Sequence, residues 1–478
     1  MVIGRDKEIV ELNRLYSSHQ AQFVAIYGRR RVGKTFLVDE VFKGRITFRH
    51  AGLSPVETDN KKDLLREQLR NFYYSLLRQG MKKSRIPSSW LEAFFLLETY
   101  LEKIDNGKRQ LVFLDELPWM DTPRSNFVSA LEHFWNGWAS ARKDILLIIC
   151  GSATSWIISK VLKNHGGLHN RVTLRLPIRP FSLRECRDLA EDNGLRFTER
   201  DIAECYMIMG GIPFYWSRLQ RGLSLAQNID GLFFNPDGEL HHEFHELFAS
   251  LFKMDGHHVA ILECLGKHLN GLMRSEIMAE TKMKSNGSLT QTLEELEECG
   301  FIRRYSQPGH PKTQQIFQLF DNFTLFHYQY MANNRTNDAH FWTSSLNSPM
   351  HAAWSGLAFE RVCMQHIAQI QKALGISGVI CNFYAWRYNG KSRKGAQIDL
   401  VIDRQDNVIN LCEIKFSRNP FAIDRDYSEN LQNKLDAFME EVAPQKAVHL
   451  TMISANGLVM NNYSGIIQSN IVLADLFQ

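Results

Sequence analysis

The chain has 478 residues, of which 44% are hydrophobic and 23% are charged, and its formal net charge is +4. The length predicts about three domains, and the composition excludes a chain that is disordered throughout. The most apolar run, residues 145–150, is far shorter than the roughly 18 residues of a membrane-spanning helix. The first residues also lack the apolar core of a signal peptide, so we expect a cytoplasmic protein without a membrane partner.

Cysteine placement and local charge narrow the class of protein further. The eight cysteines form no CxxC pair, so neither a zinc site nor a disulfide framework is expected. The basic residues are concentrated in residues 61–85, which contain eight lysines and arginines and only two acidic residues, Asp63 and Glu67. Such a stretch is either a solvated helix face or a patch that contacts phosphates.

Short apolar runs alternate with helical stretches over the first 180 residues. The runs lie at residues 23–27, 46–48, 111–114, 145–150 and 172–176, and their lengths suit strands buried on both faces of a parallel sheet. The alternation predicts an α/β domain over residues 1–180. Residues 181–255 are mainly helical, residues 256–320 predict helices and a hairpin, residues 321–350 a connector, and residues 351–478 a second α/β domain.

A phosphate-binding loop follows the first predicted strand. Residues 28–35 fit the pattern GxxxxGK[ST] between a strand and a helix. The glycines let backbone N–H groups surround phosphate oxygens, and the positive end of the helix assists them. Lys34 would reach the β- and γ-phosphates of ATP, and the Thr35 hydroxyl would bind Mg²⁺. The predicted nucleotide-binding residues here are Gly28, Arg29, Arg30, Arg31, Val32, Gly33, Lys34, Thr35 and Phe36.

Polar residues also follow two other predicted strands. Residues 111–114 are apolar and end in Asp115 and Glu116. Asp115 can hold the metal ion through water, and Glu116 can orient or deprotonate an attacking water. Ser152 follows the strand at 145–150, where it can contact the γ-phosphate or that water, with Thr154 as a second candidate.

These motifs together resemble the AAA+-related, STAND-class prokaryotic P-loop ATPases known as archaeal-type ATPases. The resemblance covers about residues 1–250 and preserves the order of the family's motifs. They are Ile3-Gly4-Arg5, GRRRVGKT at 28–35, LDELPW at 114–119, GSATSWI at 151–157, NRVT at 170–173, RPF at 179–181 and GGIPFYW at 210–216.

The resemblance implies roles for further residues. Gly4 and Arg5 would lie by the adenine, and the loop that ends at Pro213 would pack near the base. Residues 181–255 would form a helical lid, although no separate sensor arginine stands in it. Arg171 is implied as an arginine finger, and a finger acting in trans would require a homo-oligomer. An arginine before a strand is also commonly a surface or ion-pair residue, and that alternative stays open.

The middle segment resembles a winged helix-turn-helix over residues 256–320, with a wing-like hairpin across residues 308–311. In a DNA-binding version, polar residues at 282–288 would face the groove. Residues 256–332 carry a net charge of −1, which argues against tight DNA contact, and a role in packing is the alternative. The groove-facing candidates are Lys282, Lys284, Ser285, Asn286 and Ser288.

Two apolar strands near the C-terminus carry acidic and basic residues. Asp399 lies early on the first, and Glu413 and Lys415 lie late on the second. Alternate strand residues share a face, so Glu413 and Lys415 point the same way. Glu360 on an upstream helix could join them. Carboxylates that hold Mg²⁺ beside an ammonium group suit phosphodiester hydrolysis.

This pattern resembles the PD-(D/E)XK nuclease superfamily over about residues 351–455. It implies Glu360, Asp399 and Glu413 as metal ligands and Lys415 as the catalytic lysine, while Ile398 replaces the proline that usually precedes the strand acid. A nuclease-like fold can also bind DNA without cutting it. Further candidates for holding phosphate are Arg387, Lys391, Arg393, Lys394 and Gln432.

The predicted fold class is α/β, with a P-loop ATPase domain, a helical lid, a winged helix and a restriction-endonuclease-like domain. The predicted function is ATP-dependent or ATP-regulated DNA processing, with ATP or ADP and Mg²⁺ as ligands and DNA as partner. The alternative is a nucleotide-switched regulatory protein whose C-terminal domain binds a partner without cutting it.

Overall fold

The computed structural model describes residues 2–54, 63–163, 166–168, 170–251, 256–284, 287–306, 315–334, 337–388, 390 and 394–478. Two compact units divide the chain: residues 1–180 with 245–256, and residues 181–244 with 257–478. Within the described ranges, every helix is too short or too polar to cross a membrane.

Twenty α-helices are found in the described residues. They are α1 (Asp6–Tyr16), α2 (Lys34–Val41), α3 (Leu64–Arg78), α4 (Trp90–Lys103), α5 (Leu117–Met120), α6 (Phe127–Gly137), α7 (Thr154–Ile157), α8 (Leu183–Asp192), α9 (Glu199–Met209), α10 (Pro213–Trp216), α11 (Leu225–Ile229), α12 (Glu243–Leu251), α13 (His257–Lys267), α14 (Arg274–Thr281), α15 (Gly287–Glu298), α16 (Asn322–Gln329), α17 (Phe341–Ser345), α18 (Pro349–Gln365), α19 (Ile367–Ala373) and α20 (Arg425–Val442).

Thirteen strands in the described residues form three sheets. They are β1 (Gln22–Tyr27), β2 (Ile46–Ala51), β3 (Gln110–Asp115), β4 (Ile145–Gly151), β5 (Leu174–Pro177), β6 (Leu272–Met273), β7 (Ile302–Tyr305), β8 (Ile316–Leu319), β9 (Cys381–Tyr388), β10 (Ala396–Arg404), β11 (Val408–Lys415), β12 (Ala447–Ser454) and β13 (Ser469–Val472).

The first unit is built on a parallel sheet in the order β2-β3-β4-β1-β5. Every residue of β3 and β4 is buried, which explains why both strands are continuous apolar runs. The predicted α/β fold with a parallel-sheet core is therefore confirmed. Since all five strands are parallel, the ends of β1, β3 and β4 meet at one edge of the sheet, where the predicted nucleotide residues lie.

Aromatic rings fill the core beside this sheet. The Phe72 and Trp90 ring centroids lie 5.6 Å apart, and those of Phe94 and Phe134 lie 5.1 Å apart in a stacked pair. The rings come from α3, α4 and α6, whose apolar faces are buried in the same cluster. Ser89 caps α4 by accepting a hydrogen bond from the Glu92 N–H. The opposite faces of α3 and α4 are left to solvent.

In the second unit, the helical residues 181–244 share a core with the C-terminal part. His366 Nε2 accepts a hydrogen bond of 2.9 Å from the Leu183 N–H, and Asn322 Nδ2 donates one of 2.7 Å to the Tyr206 carbonyl. The stretch expected to be a connector contains α16 and α17 and contributes buried rings such as Phe326 and Trp342. Its aromatic content thus serves packing, because such rings bury large apolar areas.

The middle segment consists of α13, α14 and α15 followed by an antiparallel sheet in the order β6-β8-β7. His258 Nε2 and Glu295 Oε2 lie 2.8 Å apart and join α13 to α15. The stretch at 308–311, expected to be a wing-like turn, and the predicted groove residues Ser285 and Asn286 lie outside the described residues.

The C-terminal sheet is mixed, in the order β13-β12-β11-β10-β9. Strands β9, β10 and β11 are antiparallel, whereas β11, β12 and β13 are parallel. The register between β9 and β10 shifts between Ile398 and Val401, which places Asp399 at an irregularity of the strand. A bulge of this kind bends the strand and redirects a side chain.

Candidate functional site

The loop between β1 and α2 has the backbone that its glycines permit. Gly28 has φ +147°, and a Cβ built there would lie 2.2 Å from the Ile178 carbonyl oxygen. Gly33, at φ +88°, precedes α2. Residues with a side chain rarely adopt these backbone conformations, so both positions favour glycine. The loop thus runs close to the end of β5 and opens directly onto a helix N-terminus, the arrangement that suits phosphate.

Lys34 lies across this loop. Its Nζ donates hydrogen bonds of 2.9 Å to the carbonyl oxygens of Gly28 and Arg29, and the side chain is buried. An ammonium group held by two loop carbonyls is placed to bind phosphate oxygens that enter the loop. The predicted position of Lys34 beside the phosphates therefore fits this geometry.

Thr35 and Asp115 are brought together from β3 and the start of α2. Thr35 Oγ1 donates a hydrogen bond of 2.8 Å to Asp115 Oδ2. Asp115 Oδ1 accepts a hydrogen bond of 2.9 Å from the Glu116 N–H. A hydroxyl and a carboxylate beside a phosphate loop supply the hard oxygen ligands that Mg²⁺ prefers, so the residues present fit a magnesium ion.

Glu116 is fixed by the end of the neighbouring strand. Its Oε2 accepts hydrogen bonds of 2.9 Å from Ser152 Oγ and 3.2 Å from the Ser152 N–H. Burial raises the pKa of Glu116, the Lys34 ammonium opposes this rise, and the Asp115 carboxylate adds to it. A carboxyl group with a raised pKa is a better proton acceptor. Ser152 thus contacts Glu116. The second candidate, Thr154, is the first residue of α7 and is buried.

Arg5 ties the chain start to the loop. Its guanidinium donates to the carbonyl oxygens of Val32, at 3.3 Å, and Arg179, at 2.8 Å. Gly4 precedes it at φ +65°. Arg31, itself at φ +71°, has its guanidinium 3.7 Å from Glu246. Arg5 therefore stabilises the loop by binding the Val32 carbonyl, and no local sequence signal predicts this role.

The remaining nucleotide candidates lie at the surface or in the second unit. Arg30 is half-buried, whereas Phe36 and Arg171 are exposed. Within the described residues, the Arg171 side chain is not brought to Thr35, Asp115 or Glu116 by any hydrogen bond or ion pair. Pro213 begins α10 in the second unit.

The C-terminal candidates converge on Glu413. Lys415 Nζ lies 3.0 Å from Glu413 Oε1, which also accepts a hydrogen bond of 2.5 Å from the Tyr427 hydroxyl. Lys434 Nζ donates a hydrogen bond of 2.6 Å to Glu413 Oε2. Asp399 Oδ2 accepts a hydrogen bond of 3.1 Å from the Ile414 N–H, on the strand that carries Glu413.

The electrostatics show that the three carboxyl groups share one environment. Burial, Glu413 and Glu360 raise the pKa of Asp399 to about 8. Burial also raises the pKa of Glu360; Arg361 opposes the rise and Glu413 adds to it. Burial alone would raise the pKa of Glu413, but the ammonium groups of Lys434 and Lys415 outweigh it and lower the pKa. Among the three carboxyl groups, Glu413 is therefore the one whose ionised form is favoured.

The fit of this cluster to Mg²⁺ is partial. The carboxylate oxygens are suitable donors, yet across the described ranges no group of three or more His, Cys, Asp and Glu side chains is assembled to hold a metal ion. Both oxygens of Glu413 are engaged by cations or by Tyr427. Glu413 would have to exchange one of these partners for the ion.

Sequence reasoning missed Tyr427 and Lys434. Both lie on α20, seven residues apart, which places them on one face two turns from each other. The named candidate on this helix, Gln432, donates instead to Asp436 at 2.7 Å. Arg387 contacts Gln397 at 3.3 Å on the sheet, while Lys391 and Arg393 lie outside the described residues. The signal that the sequence offered was the spacing of Tyr427 and Lys434, two polar residues seven positions apart on one predicted helix.

Comparison with known proteins agrees with the geometry of the first unit. Residues 3–219 match the family model described as an ATPase domain predominantly from Archaea. These residues are therefore similar to an ATPase domain of the archaeal type, as the motifs predict. An uncharacterized protein of Methanocaldococcus jannaschii is 24% identical over 427 residues, which cover 87% of this chain and 88% of that protein.

Two solved structures are also similar to the chain. The Walker-type ATPase of Pyrococcus abyssi is 16% identical, with a TM-score of 0.47, covering 69% of this chain and 96% of that one. The ORC2 protein of Aeropyrum pernix is 14% identical, with a TM-score of 0.39, covering 77% of this chain and 96% of that one. Both TM-scores lie below 0.5, so the assignment rests on the family match and on the loop geometry.

Proposed function

We propose that the protein hydrolyses ATP at the loop of the first unit and that the nucleotide state controls the action of the C-terminal domain on DNA. The contact of Thr35 with Asp115 at 2.8 Å, beside Glu116 held by Ser152, is the observation that carries the ATPase part. Lys34 binds the phosphates, Thr35 and Asp115 hold the magnesium ion, and Glu116 accepts a proton from, or orients, the attacking water.

The cleavage part of the proposal assigns Glu360, Asp399 and Glu413 as metal ligands and Lys415 as the lysine that positions water or phosphate. A bound Mg²⁺ would stabilise the negative charge that develops on the phosphate. Support comes from the mutual pKa effects of the three carboxyl groups and from the bulge that carries Asp399. Perturbed carboxyl groups next to an ammonium group are characteristic of reactive sites.

Coupling is proposed to pass through residues 181–255, which we assign as the lid. Arg200 on α9 donates a hydrogen bond of 2.8 Å to the Ser417 carbonyl, and its guanidinium carbon lies 4.2 Å from the centre of the Phe416 ring. These residues directly follow Lys415. A shift of α9 would therefore be transmitted to the end of the strand that carries Glu413 and Lys415.

We assign residues 256–320 as a winged helix that serves packing more than DNA contact. Arg361, on the helix that carries Glu360, donates to the Leu269 carbonyl at 2.6 Å and to the Leu319 carbonyl at 3.3 Å. The third helix, α15, carries four glutamates and no lysine or arginine. An acidic helix would repel DNA phosphates, so Lys282, Lys284 and Ser288 would act without support from it.

Arg171 is proposed as a finger that acts on a neighbouring copy. Its exposure fits a residue supplied in trans, and this role would make the ATPase an oligomer. An Arg171→Ala variant mixed with a Glu116→Gln variant would regain turnover if the finger acts between copies.

The test of the nuclease assignment is cleavage of linear, circular and single-stranded DNA in Mg²⁺ or Mn²⁺ by the full chain. Asp399→Ala should abolish cutting. Asp403→Ala is the matched control, because Asp403 lies on the same strand but pairs with Lys446 at 2.6 Å outside the cluster. Equal cutting by the Asp399 variant and its parent would reject the assigned site.

One observation favours the second candidate function, a nucleotide-switched protein whose C-terminal domain binds a partner without cutting. Glu413 already has two ammonium groups and a phenol as partners. If this set is permanent, the carboxylate has no free oxygen for a metal ion. Nucleotide binding with no DNA cleavage under any metal condition would support the switch.

A further inference from the structure

Three arginines and a tyrosine form a stripe along the exposed face of α3. Arg66, Arg70, Tyr74 and Arg78 follow one another at intervals of four residues, and all four are exposed. Residues four apart lie on the same side of a helix, one above the other. With a rise of 1.5 Å per residue, the stripe is about 18 Å long. We call these four residues the α3 stripe.

Some arginines of the first unit form ion pairs with carboxylates, whereas the described residues show none for the arginines of the α3 stripe. Arg14 pairs with Glu11, Arg49 with Asp39, and Arg142 with Asp105 and Asp144. By contrast, within the described part of the chain no carboxylate forms an ion pair with Arg66, Arg70 or Arg78.

The surrounding sequence enlarges the positive charge. Residues 64–85 contain six lysines and arginines and one acidic residue, Glu67. Lys82, Lys83 and Arg85 follow the C-terminal end of α3 and are exposed. A solvated helix face would normally intersperse both signs of charge, so this concentration points to an anionic ligand.

We propose that the α3 stripe binds the phosphate backbone of a nucleic acid. The phosphates of one DNA strand follow one another at about 3.4 Å along the helix axis, so a stripe of about 18 Å spans roughly five of them. Tyr74, which is 42% exposed between two of the arginines, offers a ring on which an unpaired base can stack. A basic surface with an aromatic side chain on which a base can stack is the usual form of a single-strand binding site.

This surface lies in the ATPase domain, apart from the residues of the proposed nuclease site in sequence and chemistry. The inference therefore does not depend on cleavage. It needs only that nucleic acid is the ligand, and binding can be measured without metal ions, where no metal-dependent cutting takes place.

The test measures the binding of fluorescein-labelled DNA of about 20 nucleotides, single-stranded or duplex, to the full chain in EDTA. Fluorescence anisotropy reports the binding, and the titration is repeated at salt concentrations from about 50 to about 200 mM. The variant is Arg66→Gln with Arg70→Gln and Arg78→Gln. The matched control is Lys103→Gln with Lys108→Gln and Lys143→Gln, which removes the same charge from exposed positions of the same unit. ATP binding by each variant checks that the fold is intact.

The stripe variant should bind DNA at least about tenfold more weakly, and the slope of log affinity against log salt should fall by about 2 to 3, whereas the control should match the parent. Tyr74→Ala should weaken single-strand binding more than duplex binding. Equal binding by the stripe variant and the control would overturn the proposal. Arginine-dependent binding of a labelled polyglutamate peptide without DNA binding would also overturn it and assign an acidic protein as partner.

Discussion

Thr35 Oγ1 donates a hydrogen bond of 2.8 Å to Asp115 Oδ2, although the two residues lie 80 positions apart. The contact exists because β1 and β3 are parallel members of one sheet and end at the same edge. Two oxygen atoms of the kind that Mg²⁺ prefers are thereby held beside the loop. The proposed magnesium site is thus arranged in advance at the point where Lys34 would hold phosphate.

Thr35→Val should weaken binding of ATP in Mg²⁺ by about tenfold or more, because a hydrogen bond or ligand to a charged group contributes about 1.5–3 kcal/mol. Thr35→Ser keeps the hydroxyl and should bind almost as the parent does. Isothermal titration in Mg²⁺ and in EDTA measures both. The loss should be confined to the titration with Mg²⁺; a similar loss in EDTA would argue against a role at the ion.

Glu116→Gln should leave ATP binding intact and reduce turnover by about 10²–10⁴-fold, since the amide cannot accept the proton of water. Ser152→Ala removes the hydroxyl contact of 2.9 Å and should reduce turnover less, because the backbone N–H of residue 152, at 3.2 Å, still holds the carboxylate. Steady-state phosphate release measures the effect. Parent-like turnover in the Glu116 variant would exclude it as the residue acting on water.

Lys434→Met should destabilise the C-terminal domain by up to about 3 kcal/mol, because it leaves a buried carboxylate with fewer cations. Arg425→Met, on the same helix, should change stability by less than about 1 kcal/mol. The difference follows from burial: the Lys434 and Glu413 side chains are 16% and 7% exposed, whereas those of Arg425 and Glu429 are 76% and 65% exposed. Urea unfolding gives both values, and equal losses would contradict the explanation.

His366 should make the stability of the second unit depend on pH. Burial lowers the pKa of His366 to about 4, and its Nε2 accepts the Leu183 N–H, so the folded state holds the neutral ring. The unfolded ring titrates near 6.5. The contribution of His366 is therefore full above about pH 6.5 and falls, by up to about 1.4 kcal/mol per pH unit, as the pH is lowered toward 4.

The measurement compares the parent with His366→Gln at several pH values between about 7 and about 5, so that other titrating groups cancel in the difference. The advantage of the parent over the variant should shrink as the pH falls. His19→Gln, at an exposed position, is the control and should show no such trend. A constant difference between the parent and the His366 variant would contradict the assignment of a neutral buried ring.

Much of the first unit could be predicted from the sequence because its signals are local. Apolar runs long enough for buried strands predicted β1, β3 and β4, and the glycine spacing predicted a loop that only left-handed backbone conformations allow. Contacts such as Arg5 with the Arg179 carbonyl, 174 residues away, could not be predicted. They depend on how the sheet brings distant segments together.

The C-terminal cluster shows the same limit. The spacing of Glu413 and Lys415 on a strand predicted that they share a face, and the two side chains lie 3.0 Å apart. The hydrogen bonds of Glu413 with Tyr427 and Lys434 were not anticipated, because they depend on how α20 packs on the sheet. The bulge at Asp399 could not be predicted either, because residues 398–402 are all buried and show no alternation that a shift of register would interrupt.

The most direct test of the central claim is the effect of ATP on DNA cleavage by the parent, Lys34→Ala and Glu116→Gln. If nucleotide bound at the loop controls the C-terminal site, ATP should change the cleavage rate of the parent. ATP should leave the cleavage rate of Lys34→Ala unchanged. Glu116→Gln should bind ATP without hydrolysing it, so its cleavage rate should stay at the value of the ATP-bound state. A cleavage rate that ATP does not affect in the parent, or affects equally in Lys34→Ala, would contradict the account.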